Sequence, residues 1–240
     1  AEERIAERID ANLLGISMED LHMLNKKLFN EKIVKLQNKT TGTLIIKEYP
    51  TASASVNHYR ALVNELALKR TFKPDIIFVD YINICASSRF KPGANVNSYT
   101  YVKAIAEEMR GLAVELDVPI VTATQTTRSG FVSSDIGLED TSESFGLPAT
   151  ADFMFALISS EELERAGQML VKQLKNRYND PTVNRKFIIG VDRARMKLFD
   201  IEQQAQNLIQ PEQEKYVEHN LEKTEESPEE KYKKFQNFKY

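Results

Sequence analysis

Apolar positions open the chain at helical spacing: Ile5, Ile9 and Leu13 share one side, while Arg4, Glu7 and Arg8 occupy the other. This predicts two or three short helices over residues 1–38, with Gly15 ending the first and Ser17 and Asp20 starting the second. Leu44, Ile45 and Ile46 predict a short strand closed by Pro50, and Ala61, Leu62, Leu66 and Ala67 predict a helix over residues 55–70. The pattern then changes. Ile76 to Val79 is an unbroken apolar run that ends in Asp80. Continuous rather than alternating hydrophobicity predicts a strand buried on both faces, as in a parallel sheet. An amphipathic helix follows over residues 99–116, then a second such strand over 119–124 ending at Gln125, and a third over 151–158. Residues 169–174, 186–191 and 196–199 predict antiparallel ribbons around turns at 179–181 and 192–194. Alternating strands and helices followed by hairpins predict an α/β fold: a mostly parallel sheet flanked by helices, with antiparallel strands at its C-terminal edge.

Composition narrows the classes. With 240 residues, the chain is one large domain or two small ones, taking roughly 150 residues per domain. Hydrophobic residues at 42% and charged residues at 28% exclude a wholly disordered chain. No apolar run approaches the roughly 20 residues that a membrane helix needs. The one cysteine, Cys85, excludes an internally disulfide-stapled domain and points to a reducing cytosol. A net charge of -3 argues against wholesale coating of nucleic acid but leaves room for a local basic face. The three histidines, His22, His58 and His219, are far apart in sequence, so a histidine metal site or a His-dependent triad is a poor fit. From Pro211 onward there are eight Glu and six Lys and no strand pattern, so residues 1–210 are expected to form the folded body and 211–240 a charged, mobile or partly helical tail. Tyr232, Phe235, Phe238 and Tyr240 at its end suit either a solvated tail or a docking peptide.

The candidate chemistry lies at strand ends. Asp80 closes a buried strand, where a carboxylate reaches the ligand crevice of an α/β sheet. In P-loop NTPases such a carboxylate orients Mg2+ beside the phosphates, but many strand-end aspartates only cap the next helix. Gln125 closes the next strand, where an amide can sense a γ-phosphate or simply pair with backbone. Lys175 and Arg177, two apart on an extended segment, point the same way and can either reach an anion or stand as solvated cations. The loops over 86–98 and 126–138 emerge from the same sheet end. They offer Arg89, Lys91 and Arg128 as cations and Asn95, Asn97, Thr126, Ser129 and Ser133 as small polar groups, which suits a phosphodiester backbone read without its bases. No Gly-x-x-x-x-Gly-Lys-Ser/Thr occurs in the 240 residues, so a backbone cradle for phosphates is missing from this stretch of sequence.

As a set, these segments resemble the RecA-like motor domain of DnaB-type replicative hexameric DNA helicases, including those of T4-like bacteriophages. Asp80-Tyr81-Ile82-Asn83 is similar to the Asp-Tyr-Leu-Gln that ends the family's Walker B strand, and Gln125 to Arg128 to its Ser-Gln-Leu-Asn-Arg. Glu143-Ser144 with Ala151-Asp152 is similar to its Arg-Glu-Ser-Gly and Asp-Ala-Asp segments, and Lys175-Asn176-Arg177 to its Lys-Gln-Arg hairpin. The resemblance covers residues 1–205 and implies roles residue by residue. Asp80 would position Mg2+, Gln125 would sense the γ-phosphate of ATP, and Arg177 with Lys175 would enter a neighbouring subunit's site. Arg89, Lys91, Asn95, Thr126, Arg128 and Ser129 would lie in loops that contact single-stranded DNA. It also implies ATP-driven 5′→3′ translocation and duplex unwinding by a homo-hexamer. Primase and a helicase loader would be its partners, in the cytoplasm of a phage-infected bacterium. The family's P-loop and its catalytic-glutamate strand have no counterpart here, and residues 1–13 resemble the helix just after that glutamate. The expectation is therefore a piece of a longer chain, or one product of a split gene, without ATPase activity on its own. Two other readings stay open: a non-catalytic half-domain that donates cations and loops to a partner, and a RecA-type recombination ATPase.

Overall fold

The computed structural model describes residues 2–91, 95–126, 137–138, 146–180 and 182–201. Three helices lead: α1 (Glu2–Leu14), α2 (Met18–Met23) and α3 (Lys26–Gln37). Gly15 follows α1 at φ +65°, a left-handed conformation that suits glycine at a helix end. Ser17 caps α2 by accepting from the Asp20 N–H at 3.0 Å. Helix α4 (Val56–Arg70) precedes strand β1 (Ile77–Val79), and a single 3-10 turn spans Ile82–Ile84. Helix α5 (Ser98–Leu116) follows, then β2 (Ile120–Thr122), α6 (Gly146–Thr150), β3 (Phe153–Ile158), α7 (Glu161–Arg165), β4 (Gln168–Asn176), β5 (Lys186–Asp192) and β6 (Lys197–Asp200).

The strands form an α/β arrangement in two sheets. Strands β1 and β2 pair in parallel, with Val79 opposite Thr122. Strands β3 to β6 form an antiparallel sheet in sequence order. Helix α5 provides half of the main core cluster, through Ile105, Ala106, Met109 and Leu112, packed with Ile82, Cys85, Leu147 and Val56. Its amphipathic pattern explains this, since the buried positions recur at helical spacing along one side. The side chain of Asn97, expected as a loop contact, instead caps α5 by accepting from the Thr100 N–H at 2.8 Å.

Two expectations are corrected. Residues 44–46 form no strand, and Leu44 is exposed; no neighbouring strand lies beside this segment among the described residues to complete its hydrogen bonds. Strand β1 is not buried on both faces. Val79 and Ile120 pack against the α5 core, but period-2 alternation turns Phe78 and Val121 the other way, and these are 69% and 41% exposed. The described residues supply helical cover on one face of the parallel pair only. The ribbons at residues 168–200 follow the predicted pattern closely. The expected body-and-tail boundary near residue 210 lies outside the described residues. No helix among the described residues is long and apolar enough to cross a membrane.

Candidate functional site

The parallel register brings the two strand-end residues to one edge. Asp80 directly follows β1, and Gln125 stands three residues beyond the end of β2; both are exposed. The segments after the strands are stitched together. The Ile82 N–H donates to the Ala123 carbonyl at 3.1 Å, the Thr124 hydroxyl to Asn83 Oδ1 at 2.9 Å, and the Thr122 hydroxyl to the Val79 carbonyl at 2.8 Å. Asp80 and Gln125 are therefore carried on a shared, hydrogen-bonded rim. Among the described residues no cluster of three or more His, Cys, Asp or Glu could hold a metal by itself. A single exposed carboxylate fits Mg2+ of the kind held by one or two carboxylates together with substrate phosphates.

Lys175 and Arg177 come together, as their spacing predicts. Strand β4 carries Lys175 near its end, and the backbone N–H of Arg177 donates to the Asp152 carbonyl at 3.0 Å, extending the β3–β4 pairing past the strand. The Lys175 ammonium donates to the carbonyls of Pro148 at 2.5 Å and Ala149 at 3.3 Å. The Arg177 guanidinium donates to Asp152 Oδ1 at 3.1 Å and to the Ala149 carbonyl at 3.3 Å. A third cation joins them: Arg110, on α5, donates to the same Asp152 Oδ1 at 2.8 Å and to the Thr150 carbonyl at 2.6 Å. The last carbonyls of α6, which lack partners within their own helix, are thus shared among three cations, a favourable arrangement at a helix C-terminus. Partial burial pushes the Asp152 carboxyl up, but the hydrogen bond and charge of Arg110, then the charge of Arg177, outweigh it and hold the carboxyl below its ordinary range. Partial burial and the nearby Arg177 charge lower the Lys175 ammonium.

Arg89 sits differently. Its guanidinium pairs with Glu107 at 2.5 Å and lies 3.9 Å from Glu108, both on α5. Glu108, whose side chain is 6% exposed, also accepts from the Ser87 hydroxyl at 2.5 Å, and from the Ser88 N–H at 2.9 Å and hydroxyl at 2.7 Å. These bonds fix the start of the loop and neutralise Arg89. Lys91 is exposed and has no ion-pair partner among the described residues, and Asn95 and Thr126 are exposed. Arg128, Ser129 and Ser133 lie outside the described residues, as do Glu143 and Ser144. Sequence reasoning missed Arg110, Glu107 and Glu108. They read as the ordinary polar side of an amphipathic helix, and only the fold reveals what each faces. Asp152 carried a weak signal, a carboxylate opening an apolar strand.

The comparisons with known proteins agree with this architecture. The family model for the DnaB-like helicase C terminal domain matches residues 1–225. The DnaB-like replicative helicase of Enterobacteria phage T4 is 48% identical over 206 residues, which is 85% of this chain and 43% of the relative. A probable plasmid replicative DNA helicase of Chlamydia muridarum is 32% identical over 128 residues, 52% of this chain and 26% of that protein. The chain therefore spans less than half the length of these curated relatives. Among solved structures, one described as an ATPase domain superposes with a TM-score of 0.68 at 16% identity, covering 84% of this chain and 72% of that one. A DnaB-like replicative helicase solved for its interactions with primase gives 0.67 at 17% identity, covering 84% and 48%. At that identity the likeness establishes the fold, and the family match establishes descent: this chain belongs to the DnaB-like helicase C-terminal domain family.

Proposed function

We propose that this chain is the C-terminal portion of an ATP-driven replicative DNA helicase that hydrolyses ATP between subunits of a homo-hexameric ring and moves 5′→3′ along single-stranded DNA. The observation that carries the reading is the shared rim. Two parallel strands deliver a carboxylate, Asp80, and an amide, Gln125, to the same sheet end in a chain of this family. Asp80 would hold Mg2+, which would supply neutralisation of the phosphate charge. Gln125 would sense the γ-phosphate and pass its loss to the segment after Thr126. Lys175 and Arg177 would serve a neighbouring subunit's nucleotide, because among the described residues their cluster carries more positive charge than its one carboxylate balances. Lys91, Asn95, Thr126, Arg128 and Ser129, with Arg89 at the loop base, would meet the DNA backbone.

The phosphate cradle and catalytic base would come from the part of the protein outside these 240 residues, in line with the 43% share of the T4 relative that the chain spans. Primase and a loader are the expected partners, and the cytoplasm of a phage-infected bacterium the expected compartment. The test uses the full-length protein with forked DNA. Asp80→Ala should lower ATP hydrolysis and unwinding by orders of magnitude while the hexamer persists, and the 240-residue chain alone should release phosphate from ATP at background rate. Normal turnover by Asp80→Ala would leave Asp80 without a part in the reaction and remove the reading.

A further inference from the structure

We propose that Arg110 and Asp152 are positioning residues that hold Arg177 ready for an anion beyond its own chain. The inference rests on the reading of Arg177 given above. Arg177 lies just past the end of β4, and its side chain is 47% exposed. A guanidinium on a long, flexible stem samples many directions unless something braces it. Asp152 supplies the brace. Backbone and side chain of Arg177 both bond to it, the N–H to its carbonyl and the guanidinium to its Oδ1.

Asp152 is itself braced, and by a different element. Arg110 binds the same Oδ1 and, through the same nitrogen, the Thr150 carbonyl just upstream. Its helix is the one whose Ile105, Met109 and Leu112 form the core, so the chain Leu112–Arg110–Asp152–Arg177 runs from rigid packing to an exposed cation. The charge balance matters equally. Arg110 and Arg177 pair with one carboxylate and Lys175 sits on the helix carbonyls beside them, which leaves positive charge in surplus among the described residues. When Arg177 reaches an outside phosphate, Arg110 keeps Asp152 paired, so no half-buried carboxylate is stranded and the exchange avoids that cost. The guanidinium also has more N–H donors than its contacts to Asp152 and Ala149 use, so it can engage an anion while still held. Nothing in the family resemblance assigns Arg110 a role.

The test is steady-state ATPase of the full-length hexamer on single-stranded DNA. Arg110→Ala should lower kcat by about tenfold to a hundredfold, the scale on which a misplacement of about 1 Å acts. The KM for ATP should stay within about twofold, because Arg110 touches no residue that binds the subunit's own nucleotide. Arg110→Lys, which keeps the charge near Asp152, should recover part of the loss. The double variant Arg110→Ala with Arg177→Ala should be no slower than Arg177→Ala alone, because Arg110 acts through Arg177. Should Arg110→Ala assemble poorly, Asp152→Asn replaces it, keeping an acceptor of the same shape without the charge, and the same kcat-only loss is expected. Wild-type kcat in these variants, losses that multiply with Arg177→Ala, or a fall explained wholly by fewer assembled hexamers would each overturn the proposal while leaving Arg177 in its role. Wild-type kcat in Arg177→Ala itself would overturn both readings.

Discussion

Helix α5 holds two clamps within one turn of each other, and they differ in charge balance. At Glu107 and Glu108 the carboxylates match the cations that approach them, Arg89 and Lys103. Near Arg110, two cations, Arg110 and Arg177, share Asp152, and a third, Lys175, rests on helix carbonyls beside them; Asp152 is the one carboxylate paired with this group among the described residues. The first clamp is electrostatically closed: its charges satisfy one another, and its work is to fix where a loop leaves the core. The second stays open among the described residues: its cations outnumber its carboxylate and rest otherwise on helix carbonyls, and a phosphate would be welcome there. The number of basic side chains near a surface is thus a poor guide to anion binding. What decides is whether the same fold supplies carboxylates to cancel them.

The largest effect should come from the open clamp. Arg177→Ala in the full-length protein should lower DNA-stimulated kcat by about 10³-fold or more, the scale of an arginine finger, measured as phosphate release at saturating ATP. A loss below about tenfold would make Arg177 a surface cation and erase the functional difference between the two clamps.

The closed clamp should instead register in stability. Glu108→Ala leaves the Ser87 hydroxyl and the Ser88 hydroxyl and N–H without their shared acceptor. The cost should be about 1–3 kcal/mol, read as a lower Tm, with kcat changed far less than by Arg177→Ala.

An acid titration sharpens the same contrast. Partial burial raises the Glu108 carboxyl, but hydrogen bonds from Ser87 and Ser88 more than offset it and hold its pKa below the ordinary value of 4.5. A depressed folded-state pKa contributes stability that is present above the unfolded value and is lost as pH falls through the folded one. Thermal stability should therefore drop as pH goes below 4.5 toward the lowered value, and Glu108→Gln should show a shallower drop. An unchanged acid profile in Glu108→Gln would mean that the network does not depend on the charge.

The smallest effect concerns DNA. Lys91→Ala should flatten the slope of log affinity for single strands against log salt by about 0.7, one phosphate contact. Arg89→Ala should flatten it by less, since Arg89 must first leave Glu107. An equal effect from both would show that DNA readily breaks the Arg89–Glu107 pair.

Much of this was legible in the residues before any coordinates. The 76–80 run and the 119–125 run named both strand ends of the rim, and the two-residue spacing of Lys175 and Arg177 named the cation pair. These signals are local, so sequence carries them. The one-sided burial of β1 was not legible, because an apolar run says which residues avoid water but not whether the chain itself brings cover to both faces. Nor was the cancellation of Arg89, which needs α5 to fold back across the loop and present Glu107 and Glu108 from 18 or more residues away. The residues that brace the site belong to tertiary contact, and no spacing rule marks them.

The central claim, that the open clamp serves a neighbour, is tested most directly by mixed rings. Full-length subunits carrying Arg177→Ala are combined with subunits carrying Asp80→Ala across a range of ratios, and ATPase is measured on rings shown to contain both. Each variant alone has only broken interfaces. In mixed rings some interfaces pair an intact Asp80 with an intact Arg177 from the adjacent subunit, so activity should rise above both parents and peak at intermediate ratios. Activity that never exceeds the parents at any ratio would contradict action in trans and return Arg177 to its own subunit.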